Sequence, residues 1–182
     1  MVRLAFIFLI IGLSFGASGQ ASEKINREGH YAFTPLKGWT ARLSGTDSYV
    51  YAPADGAMDP WDEKLEFSIT SGENIELDHA FNFYTTVDFP ELYAQFELIN
   101  QGEEEINGLP AKWAIFTFSG QGTASAATAS GDSTVSANLQ ALFYVIKKGD
   151  SLYLINGVTE KNLFSRFDPS FRAIIRTFRV KE

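Results

Sequence analysis

The chain is 182 residues long, with 45% hydrophobic residues, a net charge of −7 and no cysteine. That length suits one domain with a core of its own. The missing cysteines exclude disulfides, thiolate metal sites, iron–sulfur clusters and thiol nucleophiles, and the acidic balance excludes the overall basic field with which nucleic-acid binders gather phosphates.

The N-terminus carries Arg3, then an apolar run from Leu4 to Leu13 broken only at Gly12, then small residues at Gly16, Ala17, Ser18, Gly19 and Ala21. The run is shorter than the roughly 20 residues that span a bilayer. Residues 1–21 therefore read as a cleaved secretory signal peptide, with cleavage after Gly19 or Ala21. Export to a bacterial periplasm or beyond is the expected location, and no Asn-x-Ser/Thr sequon argues against it. Residues 22–30 read as a linker, and 31–182 as a single domain.

Tyr31 to Pro35 alternates as a short strand, and Trp39 to Leu43 alternates again with Trp39, Ala41 and Leu43 on one face. Ser48 to Ala52 is a third strand. Residues 53–62 hold two prolines and a glycine, and read as a loop. Lys64 to Thr70 alternates as a half-buried strand. Leu77, Phe81 and Tyr84 fall at helical spacing behind Asp78. Pro90 interrupts that pattern, and Leu92, Tyr93 and Phe96 are expected to face inward beyond it. Residues 96–106 form a polar edge strand, turned back by Asn107-Gly108, a strong hairpin signal. Leu109 to Phe118 returns with apolar residues on both faces.

Residues 119–136 are small, polar and of low complexity, a loop or hairpin tip without a core of its own, with a binding loop that orders on a partner as the alternative. Residues 137–147 are a long strand with Leu139, Ala141, Phe143 and Val145 on one face and Leu142, Tyr144 and Ile146 on the other. Two such faces predict a sheet covered on both sides. Gly149-Asp150 turns the chain into Leu152 to Val158. Asp168-Pro169 then reads as a cap and first helical residue, with the main helix following and Phe171, Ile174, Ile175 and Phe178 as its apolar stripe.

Three places together resemble the PsbP-like superfamily, including the periplasmic DcrB-like proteins. They are Phe33-Thr34-Pro35 with Gly38-Trp39, the hairpin Ile106-Asn107-Gly108-Leu109-Pro110-Ala111, and the closing hairpin Phe143 to Ile155 with its helix carrying Phe171, Ile174 and Phe178. The resemblance implies an α+β fold, an α/β/α sandwich with a central antiparallel sheet covered by helices. It also implies a group of mostly non-enzymatic members: extrinsic subunits, partner-binding modules and exported proteins. The insert at 119–136 departs from the compact pattern of that group.

Sites of chemistry are sparse. His30 and His79 are isolated, and no HExxH, GxSxG or phosphate-loop motif occurs. Asp55, Asp59, Asp62 and Glu63 supply four carboxylates in one loop, a weak Ca²⁺ candidate whose spacing is not that of an EF-hand. A solvated acidic loop is the simpler reading. Glu103-Glu104-Glu105 reads as a charged strand edge that discourages pairing. Trp39 and Trp113 read as core. Trp61 is either a partner contact or a loop anchor, and Arg172 and Arg176 either meet an acidic partner or line a solvated helix face.

The expected function is an exported, non-enzymatic accessory or protein-interaction domain with a protein partner in the cell envelope. Nucleic acid, cofactor, metal and a membrane span after signal cleavage are not expected. Alternatives are a small-ligand or lipid carrier with a Phe-rich cavity, and a hydrolase with an unrecognised site.

Overall fold

A computed structural model describes residues 22–53, 63–123 and 134–181. The signal segment 1–21, Asp55, Asp59, Trp61 and Asp62 lie outside them. So does 124–133, the middle of the expected 119–136 loop, whose two ends are not loop but paired strand, 119–123 against 134–138.

The centre is a seven-stranded antiparallel sheet. Its strands are β3 (Thr40–Ser44), β4 (Asp47–Tyr51), β5 (Lys64–Ser71), β6 (Ala94–Ile106), β7 (Leu109–Thr123), β8 (Thr134–Lys148) and β9 (Ser151–Glu160), in the order β3-β4-β5-β9-β8-β7-β6. The interior strand β8 shows why the sheet is covered on both sides. Leu139, Ala141, Phe143 and Val145 enter one buried cluster, and Leu142, Tyr144 and Ile146 enter the other. A period of two with apolar groups at every position from Ala141 to Ile146 leaves no face for water there.

One face is covered by a helical run: α1 (Leu77–Phe83), a π-helical turn (Tyr84–Asp88) and α2 (Phe89–Leu92). Pro90 does not end this run. The Phe89 N–H reaches the Tyr84 carbonyl five residues back. Pro90, which has no N–H to offer, follows at the point where the hydrogen-bond spacing changes. Phe89 packs on Phe143 and Phe116 with ring centroids 4.8 and 5.0 Å apart. Leu92, expected to face inward, is 66% exposed. The run ends at Leu92, and Tyr93 has already turned to extended backbone.

The other face is covered by α3 (Phe164–Ile175) and a small sheet of β1 (Lys24–Asn26), β2 (Tyr31–Phe33) and β10 (Arg179–Val180), in the order β1-β2-β10. Residues 22–30 are thus more than a linker: Lys24, Ile25 and Asn26 pair with Phe33, Ala32 and Tyr31. Tyr31, Ala32 and Phe33 are fully buried. Phe33 stacks on Phe67 at 4.4 Å, nearly parallel, an offset arrangement favoured by ring quadrupoles.

Two further expectations need correction. The closing helix starts at Phe164 and runs through Pro169, instead of starting there. Pro169 gives up one backbone hydrogen bond, while Phe164, Phe167, Phe171, Ile174 and Ile175 are all buried by the continuous helix. Each such side chain contributes roughly 1.5–3 kcal/mol gross, enough to outweigh that one bond. In β3, Leu43 is 45% exposed, because the strand lies at the sheet edge with only β4 beside it.

Candidate functional site

Arg172 projects from α3 toward the central sheet, not into solvent. Its guanidinium lies over the indole of Trp113, 4.7 Å from the ring centroid. Its Nε donates to Asp168 Oδ1 at 3.0 Å, one helical turn back, and its Nη1 donates to the Tyr144 hydroxyl at 2.7 Å. Tyr144 donates in turn to Glu104 Oε1, which stands 3.7 Å from Arg172. Burial, and then the hydrogen bond to Glu104, push the Tyr144 hydroxyl well above the ordinary phenol range. Glu104 is therefore not part of a solvated charged edge. Alternation along β6 turns it toward α3, while Glu103 on the opposite face pairs with Lys112 at 2.9 Å. Lys112 also reaches Asp78 at 2.7 Å, and hydrogen bonds to these two carboxylates raise its pKa.

Arg176, one turn further along α3, does face out. Its side chain is 64% exposed and its Nε stands 3.9 Å from Glu104, too far for a hydrogen bond. It opens onto a groove of about 420 Å³ lined by Thr34, Asn107, Arg176, Thr177 and Arg179. Three parts of the chain meet there: the exit of β2, the β6–β7 turn and the segment after α3. Asn107 has a left-handed backbone (φ 50°), as does Gly108 (φ 82°), the pairing a type I′ hairpin requires. From that position the Asn107 amide donates to the carbonyls of Arg176 at 2.9 Å and Phe178 at 2.7 Å. The hairpin tip is thereby tied to the end of the helix.

Of the sequence-proposed site residues, Arg172 is locked in an internal network and Arg176 lines the groove. Glu63 is buried immediately before β5, and Asp55, Asp59, Trp61 and Asp62 lie outside the described residues. Among the described residues, no group of three His, Asp or Glu is placed to hold a metal. His30 and His79 are both exposed. The sequence reading missed Tyr144, Glu104, Asn107, Thr34, Thr177 and Arg179. The available signal was Glu104 itself, an acid on the strand face that otherwise packs toward α3.

Two strands, β2 and β10, brace the closing helix beside a long antiparallel sheet that carries a helical run on its other face. Solved structures similar to this chain include cyanobacterial PsbP (CyanoP) from Synechocystis, 17% identical over 92% of this chain and 95% of that one, TM-score 0.57. The fold is PsbP-like. A second solved structure with this PsbP-like arrangement is PA94 from Pseudomonas aeruginosa, a protein of unknown function described as a putative regulator. It is 12% identical over 90% of this chain and 99% of that one, TM-score 0.59. A third is the Ran-binding protein Mog1p of Saccharomyces cerevisiae, 12% identical over 90% and 96%, TM-score 0.58. No protein-family model and no curated protein matches the chain. At these identities the likeness establishes the PsbP-like fold and leaves the function to the chain's own surfaces.

Proposed function

We propose that this chain is an exported, non-catalytic interaction domain that binds a protein partner in the cell envelope. One observation carries the reading. Five of the seven large hydrophobics exposed among the described residues fall between Phe83 and Ile99: Phe83, Val87, Leu92, Leu98 and Ile99. They lie on the solvent side of the helical run and on the adjoining edge strand β6. Apolar groups concentrated in one exposed segment mark interaction surfaces, whereas singly scattered ones are ordinary. The Ran-binding activity named for Mog1p is a precedent for protein binding on this fold. The N-terminal pattern of Arg3, a short apolar run and small residues supports export.

The test is site-specific photo-crosslinking in producing cells, with the crosslinker at 83, 87 or 99 and at the exposed Leu43 as control. A discrete adduct at the first three positions, absent at 43 and suppressed by Val87→Asp, is the expected result. Adducts that form equally at Leu43, or none at all, refute the reading. N-terminal sequencing of the mature protein, expected to begin at Gln20 or Ser22, tests export separately.

A further inference from the structure

We propose that the groove lined by Thr34, Asn107, Arg176, Thr177 and Arg179 is a binding site for a small organic oxyanion, a phosphate monoester or a polycarboxylate. This site is separate from the apolar segment at 83–99 and does not depend on it. The first argument is charge. Between Arg166 and Lys181 the chain places five basic residues against the single acid Asp168, in a protein of net charge −7. At the groove itself Arg176, Arg179 and the neighbouring Lys181 stand against the carboxylates of Glu104 and Glu23, which leaves a small local excess of positive charge. A localised positive field with low-dielectric walls concentrates anions there.

The second argument is which donors remain available. Among the described residues, Arg176 meets a carboxylate only at Glu104 Oε2, 3.9 Å away, while Tyr144 and Arg172 engage Oε1. At that distance no hydrogen bond ties the side chain, and the Arg176 fork can turn to donate to both oxygens of an oxyanion. Arg179 pairs with Glu23 through Nε and Nη2. Glu23, which Lys181 also approaches at 3.7 Å, thus occupies one edge of that guanidinium and orients it, leaving Nη1 without a partner among the described residues.

The third argument concerns the helix end. The carbonyls at a helix C-terminus carry partial negative charge and repel an anion. Here they are covered. The Asn107 amide takes the carbonyls of Arg176 and Phe178, and the Thr177 hydroxyl donates to Ile174 at 2.6 Å. Thr177 Oγ1 itself accepts the Thr34 N–H at 2.7 Å. The carbonyls of Ile174, Arg176 and Phe178 are thus occupied, while the Arg176 side chain still faces outward. The volume of about 420 Å³ lies within the usual range for small-molecule sites.

The full mature chain should be titrated separately with inorganic phosphate and with citrate, followed by amide chemical shifts in two-dimensional NMR. Saturable shifts centred on Thr34, Asn107 and Thr177 at millimolar ligand or below are expected, and the two arms identify the preferred oxyanion. Arg176→Gln should weaken binding about tenfold and the double substitution with Arg179→Gln should abolish it. Lys148→Gln, which removes one exposed charge elsewhere, should leave binding unchanged. Both variants alter exposed side chains, and urea midpoints confirm that they fold. No saturable shift with either anion, or equal weakening by Lys148→Gln, overturns the proposal.

Discussion

The guanidinium of Arg172 rests on the indole of Trp113, and the same indole covers Gly102, its cross-strand partner in β6. A Cβ at Gly102 would come within 2.7 Å of the Trp113 ring, so the bare backbone lets the indole lie flat and present a surface to the arginine. Arg172 is thus held by a ring, a phenol and two carboxylates. Arg172→Ala should destabilise the fold by about 2–4 kcal/mol, since it leaves partly buried Glu104 and Tyr144 without their cation. Arg172→Lys should recover less than half of that, because an ammonium cannot stack and fork together. Urea unfolding of the two variants checks both values.

Gly157 in β9 lies beneath α3. An added Cβ would stand 2.9 Å from Phe171 and 3.0 Å from Leu65, both fully buried. Neither ring nor leucine has open space to retreat into, so Gly157→Ala should cost about 1–3 kcal/mol despite the better strand propensity of alanine. Gly108, whose Cβ would meet nothing within 4 Å, provides the contrast. There Gly108→Ala is strained only by its positive φ. A comparison of urea midpoints separates crowding from backbone conformation.

The sheet was legible in the sequence because alternation states it directly: both faces of β8 and the Asn107-Gly108 turn follow from residue type and period. The closing helix was legible as a stripe but not in its bounds: it ends at Ile175, so Phe178 is buried from the segment beyond it. A proline after aspartate is the ordinary mark of a helix N-terminus, and only the burial of Phe164 and Phe167 upstream overrides it. The site was less legible still. Arg172 reads as a surface residue beside an apolar stripe, and nothing local shows that Trp113, 59 positions earlier, offers its ring. Glu104 sits in a run of three acids whose members face alternate sides of β6. Pairing across the sheet, not composition, decides which one is buried.

Asn107 separates two roles that turn residues usually combine. Its backbone needs a positive φ, and its amide ties the hairpin to the end of α3. Asn107→Gly keeps the conformation and loses two hydrogen bonds, and should cost about 1–2 kcal/mol. Asn107→Ala loses both features and should cost about 1 kcal/mol more. Hydrogen exchange should show faster opening of the α3 C-terminus in both variants, with the β6–β7 turn further loosened only in Asn107→Ala.

Tyr31 makes stability depend on alkaline pH. Its ring is fully buried between Phe33, Phe67 and Phe178. Its hydroxyl lies 2.8 Å from Ser48 Oγ and 3.0 Å from the Thr46 carbonyl. Burial pushes its pKa from 10.0 up to about 12, because the phenolate has no water there. The folded state therefore holds the Tyr31 proton more tightly than the unfolded chain. The stabilisation is complete below pH 10 and is lost as pH rises through about 12, where the folded form also ionises. Holding the proton over that interval contributes on the order of 3 kcal/mol. Tyr84, Tyr93, Tyr144 and Tyr153 are shifted in the same direction, so the loss above pH 10 should be steep. Urea midpoints taken from pH 8 to pH 12 should stay level to about pH 10 and then fall. Tyr31→Phe should start lower, having left Ser48 and Asn26 with one partner fewer, but should fall less over the same interval. An identical alkaline slope in Tyr31→Phe would show that the buried phenol does not govern it.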